Sequence, residues 1–189
     1  MTKEIQLFNN NLKEIPNYIF YIIDLEELLL LSNQIRVISK KINMLQKLKL
    51  LSLDYNCISS LPMELFDINS LHTLYLKSNN LCDIPVEINK LTNLKCLYLS
   101  NNNFSVFPKS ICEIINLETL FINNNKITAI PDEIKNLKSL KTFFIHNNNL
   151  TKLNINILEL HDLRDFSHNN NYITNYNDTD IKNFIAKFK

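Results

Sequence analysis

Residues 71–93 read LHTLYLKSNNLCDIPVEINKLTN, and this 23-residue arrangement of apolar and polar positions returns along almost the whole chain. Leu74 and Leu76 are two residues apart, which is the spacing of side chains on one face of a strand. Seven full units span residues 2–24, 25–47, 48–70, 71–93, 94–116, 117–139 and 140–162, and a degenerate eighth begins at residue 163. Because stacked repeats bury their core against each other, we expect residues 1–189 to form a single domain.

Two further positions keep a fixed register in these units. An asparagine occupies the same place eight times, at Asn10, Asn33, Asn56, Asn79, Asn102, Asn125, Asn148 and Asn171. All five prolines fall on another single position, namely Pro16, Pro62, Pro85, Pro108 and Pro131, and Ser39 and Asn154 stand there in the two remaining full units. A register that never slips is not a chance pattern, so the 23-residue unit is the structural repeat.

The pattern predicts the path of the chain within each unit. A short strand would bury Leu74 and Leu76 and turn Tyr75 outward. We expect the asparagine side chain to turn inward and satisfy backbone groups of adjacent turns that would otherwise be buried without partners. Residues 84–91 would return on the far side as a short helical or 3₁₀ segment, begun by a proline because no N–H is needed there. Since the far side is longer than the strand, the sheet should lie on the concave side of a curved stack.

The unit follows the leucine-rich repeat signature L-x-x-L-x-L-x-x-N-x-L. Its tail, x-x-I-P-x-x-I-x-x-L, resembles the intracellular repeat class of Ras-suppressor-type scaffolds, plant intracellular Ras-group proteins and cell-polarity scaffolds. The resemblance covers residues 2–162. It implies an α/β leucine-rich repeat solenoid, with a curved parallel β-sheet on the concave face and short helical, 3₁₀ or extended segments on the convex face. Members of these families bind proteins on the concave face, often small GTPases or phosphatase subunits.

Composition excludes several classes of function. The 189 residues carry a net charge of +1 with acids and bases interspersed, whereas a nucleic-acid or anionic-membrane surface requires a basic stripe. The absence of glycine excludes glycine-rich phosphate-binding loops. It also predicts asparagine at the turns, because asparagine tolerates the left-handed backbone region. The Asn-Asn-Asn runs at residues 101–103, 123–125 and 147–149 fit that expectation.

The cysteines and the apolar stretches indicate a compartment. The four cysteines are Cys57, Cys82, Cys96 and Cys112, at four different repeat positions and without a C-x-x-C pair. We expect buried or half-buried thiols in a reducing compartment. No stretch fits a secretory signal peptide, and the apolar run near residues 25–31 is too short to span a bilayer. The expected location is therefore cytoplasmic (intracellular).

The two ends of the repeat array would be closed differently. His168 replaces the inward leucine of the last strand, and Asp178 can cap a following helix. The apolar face of that helix would cover the last repeat with Ile181, Phe184, Ile185 and Phe188. The first strand would be an open edge with Glu4 and Gln6 facing outward. We expect a monomer, and self-association through that edge is the alternative.

The outward strand positions supply a candidate binding surface. Their middle position is aromatic in four adjacent units, at Tyr75, Tyr98, Phe121 and Phe144. Stacked at about 4.8 Å, these rings would form a ridge on the concave face, and exposed aromatic patches mark interaction sites. Polar neighbours would orient a protein partner by hydrogen bonds, namely Lys77, Asn123 and His146. The alternative is that the rings only stabilise the sheet. A smaller apolar cluster lies toward the N-terminal end, at Phe8, Leu29, Leu31 and Leu50.

No catalytic, cofactor or metal site is expected. The four histidines are far apart in repeat coordinates, and Cys96 lies two units from His146, roughly 10 Å across the sheet. No ligand spacing for zinc or calcium is present. We predict a protein-protein interaction module that is not an enzyme and binds neither nucleic acid nor membrane. The alternative is a regulatory or targeting subunit of an intracellular signalling enzyme, in a phosphatase, small GTPase or ubiquitin ligase pathway.

Overall fold

Eight short parallel strands form one continuous curved sheet in the computed structural model, which describes residues 3–188. The strands are β1 Glu4–Gln6, β2 Glu27–Leu29, β3 Leu50–Ser52, β4 Thr73–Tyr75, β5 Cys96–Tyr98, β6 Thr119–Phe121, β7 Thr142–Phe144 and β8 Asp165–Ser167. Each strand pairs with the next in chain order, and paired residues are one repeat apart. The predicted solenoid is therefore confirmed. Residues 1 and 2, at the start of the predicted repeat array, and Lys189, at its end, lie outside the described residues.

The core is a single column of inward leucine, isoleucine and phenylalanine side chains. In β4, Leu74 is fully buried, Leu76 beyond it is also fully buried, and Tyr75 between them is half-buried. The same alternation returns in the neighbouring strands because their register is fixed. Burial of this apolar surface is the main favourable contribution to folding.

The convex side is built from short 3₁₀ helices. They span Asn17–Tyr21, Lys40–Met44, Met63–Asp67, Val86–Lys90, Lys109–Glu113, Asp132–Asn136 and Ile155–Glu159. Each proline of the repeat directly precedes one of them, as predicted. The two units without proline use a side-chain cap instead, because Ser39 Oγ accepts from the N–H of Lys41 at 3.3 Å and Asn154 Oδ1 accepts from the N–H of Asn156 at 2.9 Å.

The repeated asparagine links consecutive units. Asn56 Nδ2 donates to the carbonyls of Leu30 and Leu53, both at 3.0 Å, and its Oδ1 accepts from the N–H of Ile35 at 2.9 Å. One side chain thus satisfies buried backbone groups of its own unit and of the preceding unit. The equivalent bonds are made by Asn33, Asn79, Asn102, Asn125, Asn148 and Asn171. We call this series the asparagine ladder, and the prediction that these side chains turn inward is confirmed for its members. It is wrong for Asn10, which is exposed because no unit precedes it in the described sheet.

The turn before each ladder asparagine has a positive φ, but asparagine does not always occupy it. The residues are Asn9, Ser32, Tyr55, Ser78, Asn101, Asn124, Asn147 and Asn170, with φ between 53° and 57°. The prediction of asparagine at the turns is wrong for Ser32, Tyr55 and Ser78. The N–H of each of these residues donates to a carbonyl of the next unit at 2.8–2.9 Å. This backbone bond holds a conformation that is unfavourable for the side chain.

The C-terminal segment closes the last repeat as predicted. Helix α1 spans Thr179–Ile185 and continues as a 3₁₀ turn over Ala186–Phe188. Asp178 Oδ1 accepts from the N–H groups of Asp180 at 3.0 Å and Ile181 at 3.2 Å, which caps the helix. Ile181 is fully buried, and the ring of Phe184 packs 5.8 Å from that of Phe166 in β8. No helical segment of residues 3–188 has the length and hydropathy needed to cross a bilayer.

The four thiols are free, and one of them departs from the prediction. Cys112 is buried, and Cys57 and Cys96 are half-buried, but Cys82 is exposed. Cys82 follows the inward Leu81 in the turn that leads to the convex side, where the side chain faces solvent. The expectation that all four thiols are buried or half-buried is therefore wrong for Cys82.

The asparagine ladder yields a stability prediction. Asn102→Ala would leave the carbonyls of Leu76 and Leu99 and the N–H of Leu81 without partners. We expect the free energy of unfolding to fall by about 3 kcal/mol or more, because each unsatisfied buried group costs about 1–3 kcal/mol. Urea denaturation followed by circular dichroism measures this loss. Asn10→Ala is the matched control, because Asn10 is exposed, and its effect should stay within about 0.5 kcal/mol. Equal losses in the two variants would contradict the structural role of the ladder.

Candidate functional site

The four aromatic side chains of the concave face form a continuous stack, which we call the aromatic ridge (Tyr75, Tyr98, Phe121 and Phe144). The rings of Tyr75 and Tyr98 are stacked with centroids 4.4 Å apart, and those of Phe121 and Phe144 are stacked at the same separation. The two pairs meet edge to face, with 5.0 Å between the centroids of Tyr98 and Phe121. All four side chains are half-buried. The register of β4 to β7 puts these residues side by side, because each pairs directly with the next.

The ridge and its predicted polar neighbours line one open groove of about 340 Å³. All seven residues singled out from the sequence contribute to its walls: Tyr75, Tyr98, Phe121, Phe144, Lys77, Asn123 and His146. Burial, followed by interaction with Tyr75, raises the pKa of Tyr98 to about 12, so its hydroxyl remains a hydrogen-bond donor at neutral pH. The groove therefore offers apolar ring surface together with polar and charged groups.

Lys77 and Asn123 are less available to a partner than strand alternation predicts. The Nζ atom of Lys77 lies 5.2 Å from the ring centroid of Tyr55, which gives the ammonium a cation–π contact within the chain. Asn123 is buried, with 8% of its surface exposed, and its Oδ1 accepts from Ser100 Oγ at 2.6 Å. The prediction of Asn123 as an exposed hydrogen-bonding group is at odds with this burial. On a concave face the side chains of adjacent units converge, so a short side chain such as Asn123 is covered by its neighbours.

His146 lies at the end of the groove that is formed by the last ridge ring, Phe144. Its ring centroid is 6.0 Å from that of Phe144, and no group of residues 3–188 hydrogen-bonds to its buried Nδ1 atom. Burial lowers the pKa of His146 below its ordinary value. The imidazole is therefore neutral at pH 7 and retains hydrogen-bonding capacity toward the groove.

Asp54 is a groove residue that was not among the predicted site residues. Its Oδ1 accepts from the backbone N–H of Lys77 at 2.7 Å. Burial raises the pKa of Asp54 to about 6, although the hydrogen bond and the charge of Lys77 act in the opposite direction. The sequence signal was its place in the same outward column as Lys77 and His146, but burial at that place cannot be read from spacing.

The smaller apolar cluster is separate from the ridge. Phe8 is exposed, with 40% of its surface accessible, whereas Leu29, Leu31 and Leu50 are half-buried. Ser52 stands between this cluster and Tyr75 in the middle column and is itself buried. The concave face therefore has two apolar areas, and the ridge is the one that contains stacked rings.

The described residues contain no arrangement typical of catalysis or metal binding. No group of three or more His, Cys, Asp or Glu side chains is placed to hold a metal ion among residues 3–188. Burial raises the pKa of the Cys112 thiol to about 12, so this thiol is not a nucleophile at neutral pH. Cys96 lies in β5 and His146 lies two residues after β7, with β6 between these two strands.

Comparison with known families agrees with this architecture. Residues 23–81 match one leucine rich repeat family, and residues 93–114 and 116–137 match a second one. The chain is a leucine-rich repeat protein. No curated protein sequence matches this leucine-rich repeat protein. Its repeats belong to a family of binding scaffolds that is generally non-enzymatic.

Solved structures with the same fold come from plants and bacteria. The plant peptide hormone receptor RGFR1, in complex with RGF2, is 33% identical over 89% of this chain and 26% of the receptor chain, with a TM-score of 0.71. Internalin C2 of Listeria monocytogenes is 26% identical over 91% of this chain and 73% of its own, with a TM-score of 0.82. The ectodomain of the Arabidopsis thaliana receptor kinase GASSHO1/SCHENGEN3 is 29% identical over 81% of this chain and 19% of its own, with a TM-score of 0.73. The leucine-rich repeat protein thus spans about a quarter of the length of the RGFR1 chain.

The raised pKa of Asp54 predicts a specific stability change. A carboxyl with a folded pKa of about 6 and an ordinary pKa of 3.8 destabilises the fold progressively as pH rises through that window, and the full loss persists above it. Asp54→Asn keeps the acceptor for Lys77 and removes the buried charge. We expect it to raise the free energy of unfolding by about 1–2 kcal/mol near neutral pH, after allowance for solvent screening.

Urea denaturation at neutral pH and near pH 4 measures this effect. The gain should largely vanish at the lower pH, since Asp54 is then protonated in the folded state. Asp162→Asn makes the same charge change at an exposed residue and should show no such pH dependence. A gain from Asp54→Asn that is equal at both pH values would contradict the burial of a charge at Asp54.

Proposed function

We propose that this leucine-rich repeat protein is a protein-interaction module that binds a protein partner on its concave face through the aromatic ridge. The observation that carries the proposal is the single groove lined by all four ridge rings and by Lys77 and His146. A fully buried aromatic residue covers about 150–250 Å², and the half-buried ridge rings leave part of that area for a partner to cover. Aromatic side chains in a shared groove are the residues that contribute most to binding at interfaces.

The structural neighbours support binding as the type of function. RGFR1 is in complex with RGF2, and GASSHO1/SCHENGEN3 is in complex with CASPARIAN STRIP INTEGRITY FACTOR 2. Those receptor chains are much longer than this chain, so their receptor activities are not carried over. What is carried over is the use of a leucine-rich repeat stack to recognise another molecule.

The stacking of the ridge also supports the other role considered for these rings. Offset and edge-to-face pairs contribute about 0.5–1.5 kcal/mol beyond the burial of their area, so the ridge stabilises the sheet. This contribution does not explain why the four rings lie on the outward side of β4 to β7, where polar residues would also fit. We therefore assign both roles to the ridge, with recognition as the function.

We further propose that the protein acts inside the cell as a monomer and without catalysis of its own. The free thiols support this compartment, above all the exposed Cys82, because secreted proteins usually pair their cysteines. Cell fractionation with an antibody tests this location. A regulatory or targeting subunit of a signalling enzyme is the second form of the same proposal, and enzyme activity that elutes with the protein from a lysate would favour it.

The ridge is tested by capture of partners from the native cell lysate. Tyr98→Ala combined with Phe121→Ala removes the two central rings, and we expect the affinity for the captured partner to fall about 100-fold or more, because two hot-spot aromatics together contribute more than about 3 kcal/mol. The control is Tyr18→Ala combined with Tyr21→Ala, which deletes two exposed rings of the convex 3₁₀ segment. Equal capture by the wild type and the ridge variant would place the binding surface elsewhere.

A second variant shows whether the ridge variant loses capture because it lacks the rings or because it is unfolded. Thr119→Arg adds a long side chain beside Phe121 in the same strand and deletes no ring. It should also block capture while the circular dichroism spectrum remains that of the wild type. Normal capture by a folded Thr119→Arg protein would contradict binding on the concave strands.

Self-association through β1 is distinguished by its dependence on concentration. β1 is the edge strand of the described sheet, and its Glu4 and Gln6 are exposed. Sedimentation at increasing protein concentration should give a constant mass for a monomer. A mass that rises with concentration would instead support an edge-to-edge assembly.

A further inference from the structure

We propose that the segment that binds the aromatic ridge is cationic, and that a lysine or arginine of the partner sits between Asp54 and the open face of Tyr75. This inference rests on the proposed function, because it specifies the chemistry of the partner at the same groove. It goes beyond that function because it names the charge of the partner segment and the residue that binds it, Asp54.

Carboxylates outnumber ammonium groups in the three outward columns of the concave face, which are the first and third strand positions and the position two residues after each strand. These columns carry Glu4, Glu27, Asp54 and Asp165 and one ammonium, Lys77. The lysines that directly precede the strands belong to the lateral edge of the sheet. Glu4 and Glu27 lie on β1 and β2 and Asp165 lies on β8, so Asp54 is the carboxylate and Lys77 the ammonium among the residues that line the groove. A face of one sign attracts and orients partners of the opposite sign.

The carboxylates of the concave face are not neutralised within the chain. Across residues 3–188, none of these four carboxylates lies within ion-pair distance of a lysine, arginine or histidine. The lateral edge of the sheet is different. There Glu26 pairs with Lys3 at 2.7 Å and with Lys49 at 2.5 Å, and Glu118 pairs with two lysines in the same way. The chain thus supplies cations to the carboxylates beside the strands and not to those on the concave face.

Asp54 is the carboxylate that touches the groove. One of its oxygens accepts the Lys77 N–H, and its other oxygen has no hydrogen-bond donor among the described residues. The nearest ammonium, that of Lys77, is directed to the ring of Tyr55 rather than to Asp54. Asp54 is half-buried, and this partial burial of a carboxylate without an ion-pair partner raises its pKa to about 6. A cationic side chain from a partner would offset the cost of that burial.

The first ring of the ridge provides the second contact for a cation. Tyr75 stacks on Tyr98 at an interplanar angle of 13°, so one of its faces is covered. On its other side the paired residue of β3 is Ser52, which is small and buried. No ring therefore covers that face of Tyr75, and it lies on the side of the strand that leads to Asp54. Lysine and arginine bind over aromatic faces, and a neighbouring carboxylate strengthens the contact.

A selection experiment with a defined probe tests the charge of the partner segment. The wild type, Asp54→Asn and the ridge double variant are each used to select from a phage-displayed library of random dodecamer peptides. We expect the wild type to enrich sequences that contain lysine or arginine next to an apolar residue. Synthetic copies of these peptides should bind Asp54→Asn about tenfold more weakly, and their affinity for the wild type should fall as salt is raised.

Matched variants separate the local contact from net charge. Asp162→Asn changes the net charge of the protein by the same amount at an exposed residue, and it should bind the peptides as the wild type does. Lys77→Gln removes the one ammonium of the concave face and should tighten binding. Asp54→Asn is not expected to fail by unfolding, because the buried charge that it removes destabilises the fold.

The outcomes separate this inference from the proposed function. Enrichment of neutral or acidic peptides that still need the ridge would overturn the cationic partner and leave concave-face recognition intact. Equal binding of basic peptides to the wild type and Asp54→Asn would also overturn it. Enrichment that is unchanged in the ridge double variant would overturn both the inference and the proposed site. Failure of the wild type to enrich any peptide would overturn the inference, and lysate capture would then judge the proposed function separately.

Discussion

The structure depends on the hydrogen bonds of the asparagine ladder. A leucine-rich strand is only three residues long here, and the turn after it buries backbone groups that no strand partner reaches. The ladder side chain accepts from one buried N–H and donates to two carbonyls. Because one of these carbonyls belongs to the preceding unit, the ladder sets the distance and rotation between units. An apolar residue at the same place would fill the space but leave three buried polar groups without partners.

The asparagine ladder affects the proposed binding surface because it keeps every unit in the same register. With every unit in the same relation to the next, each outward position becomes a straight column across the sheet. Aromatic residues at one position of four adjacent units then form a ridge whose ring centroids are 4.4–5.0 Å apart. A shift of one residue in a single unit would turn its ring into the core. The proposed binding surface is thus a direct consequence of the same repetition that forms the core.

The features that follow from periodicity were predictable, and those that follow from local crowding were not. Strand positions, the inward asparagines and the helix cap at Asp178 all depend on spacing, and the structure confirms them. The burial of Asn123 depends on how the concave face draws neighbouring columns together. The positive φ of Tyr55 depends on a backbone bond to the next unit, which overrides the preference of the residue. The raised pKa of Asp54 depends on desolvation. A sequence pattern does not show how much solvent a side chain loses on folding.

Stacking and the proposed recognition are compatible roles for the ridge, and Asp54 is the observation that favours recognition. Rings that stack on each other are ordered before a partner arrives, so less conformational entropy is lost on binding. The same stack also stabilises the free sheet, and for that reason the rings alone do not separate the two roles. Asp54 favours recognition, because its half-buried carboxylate is unfavourable in the free protein and no lysine or arginine of the described residues forms an ion pair with it. An unfavourable local feature without compensation elsewhere in the protein is typical of functional sites. Here that feature is the carboxylate of Asp54, which has no ion-pair partner among the described residues and lies at one end of the ordered ridge rings.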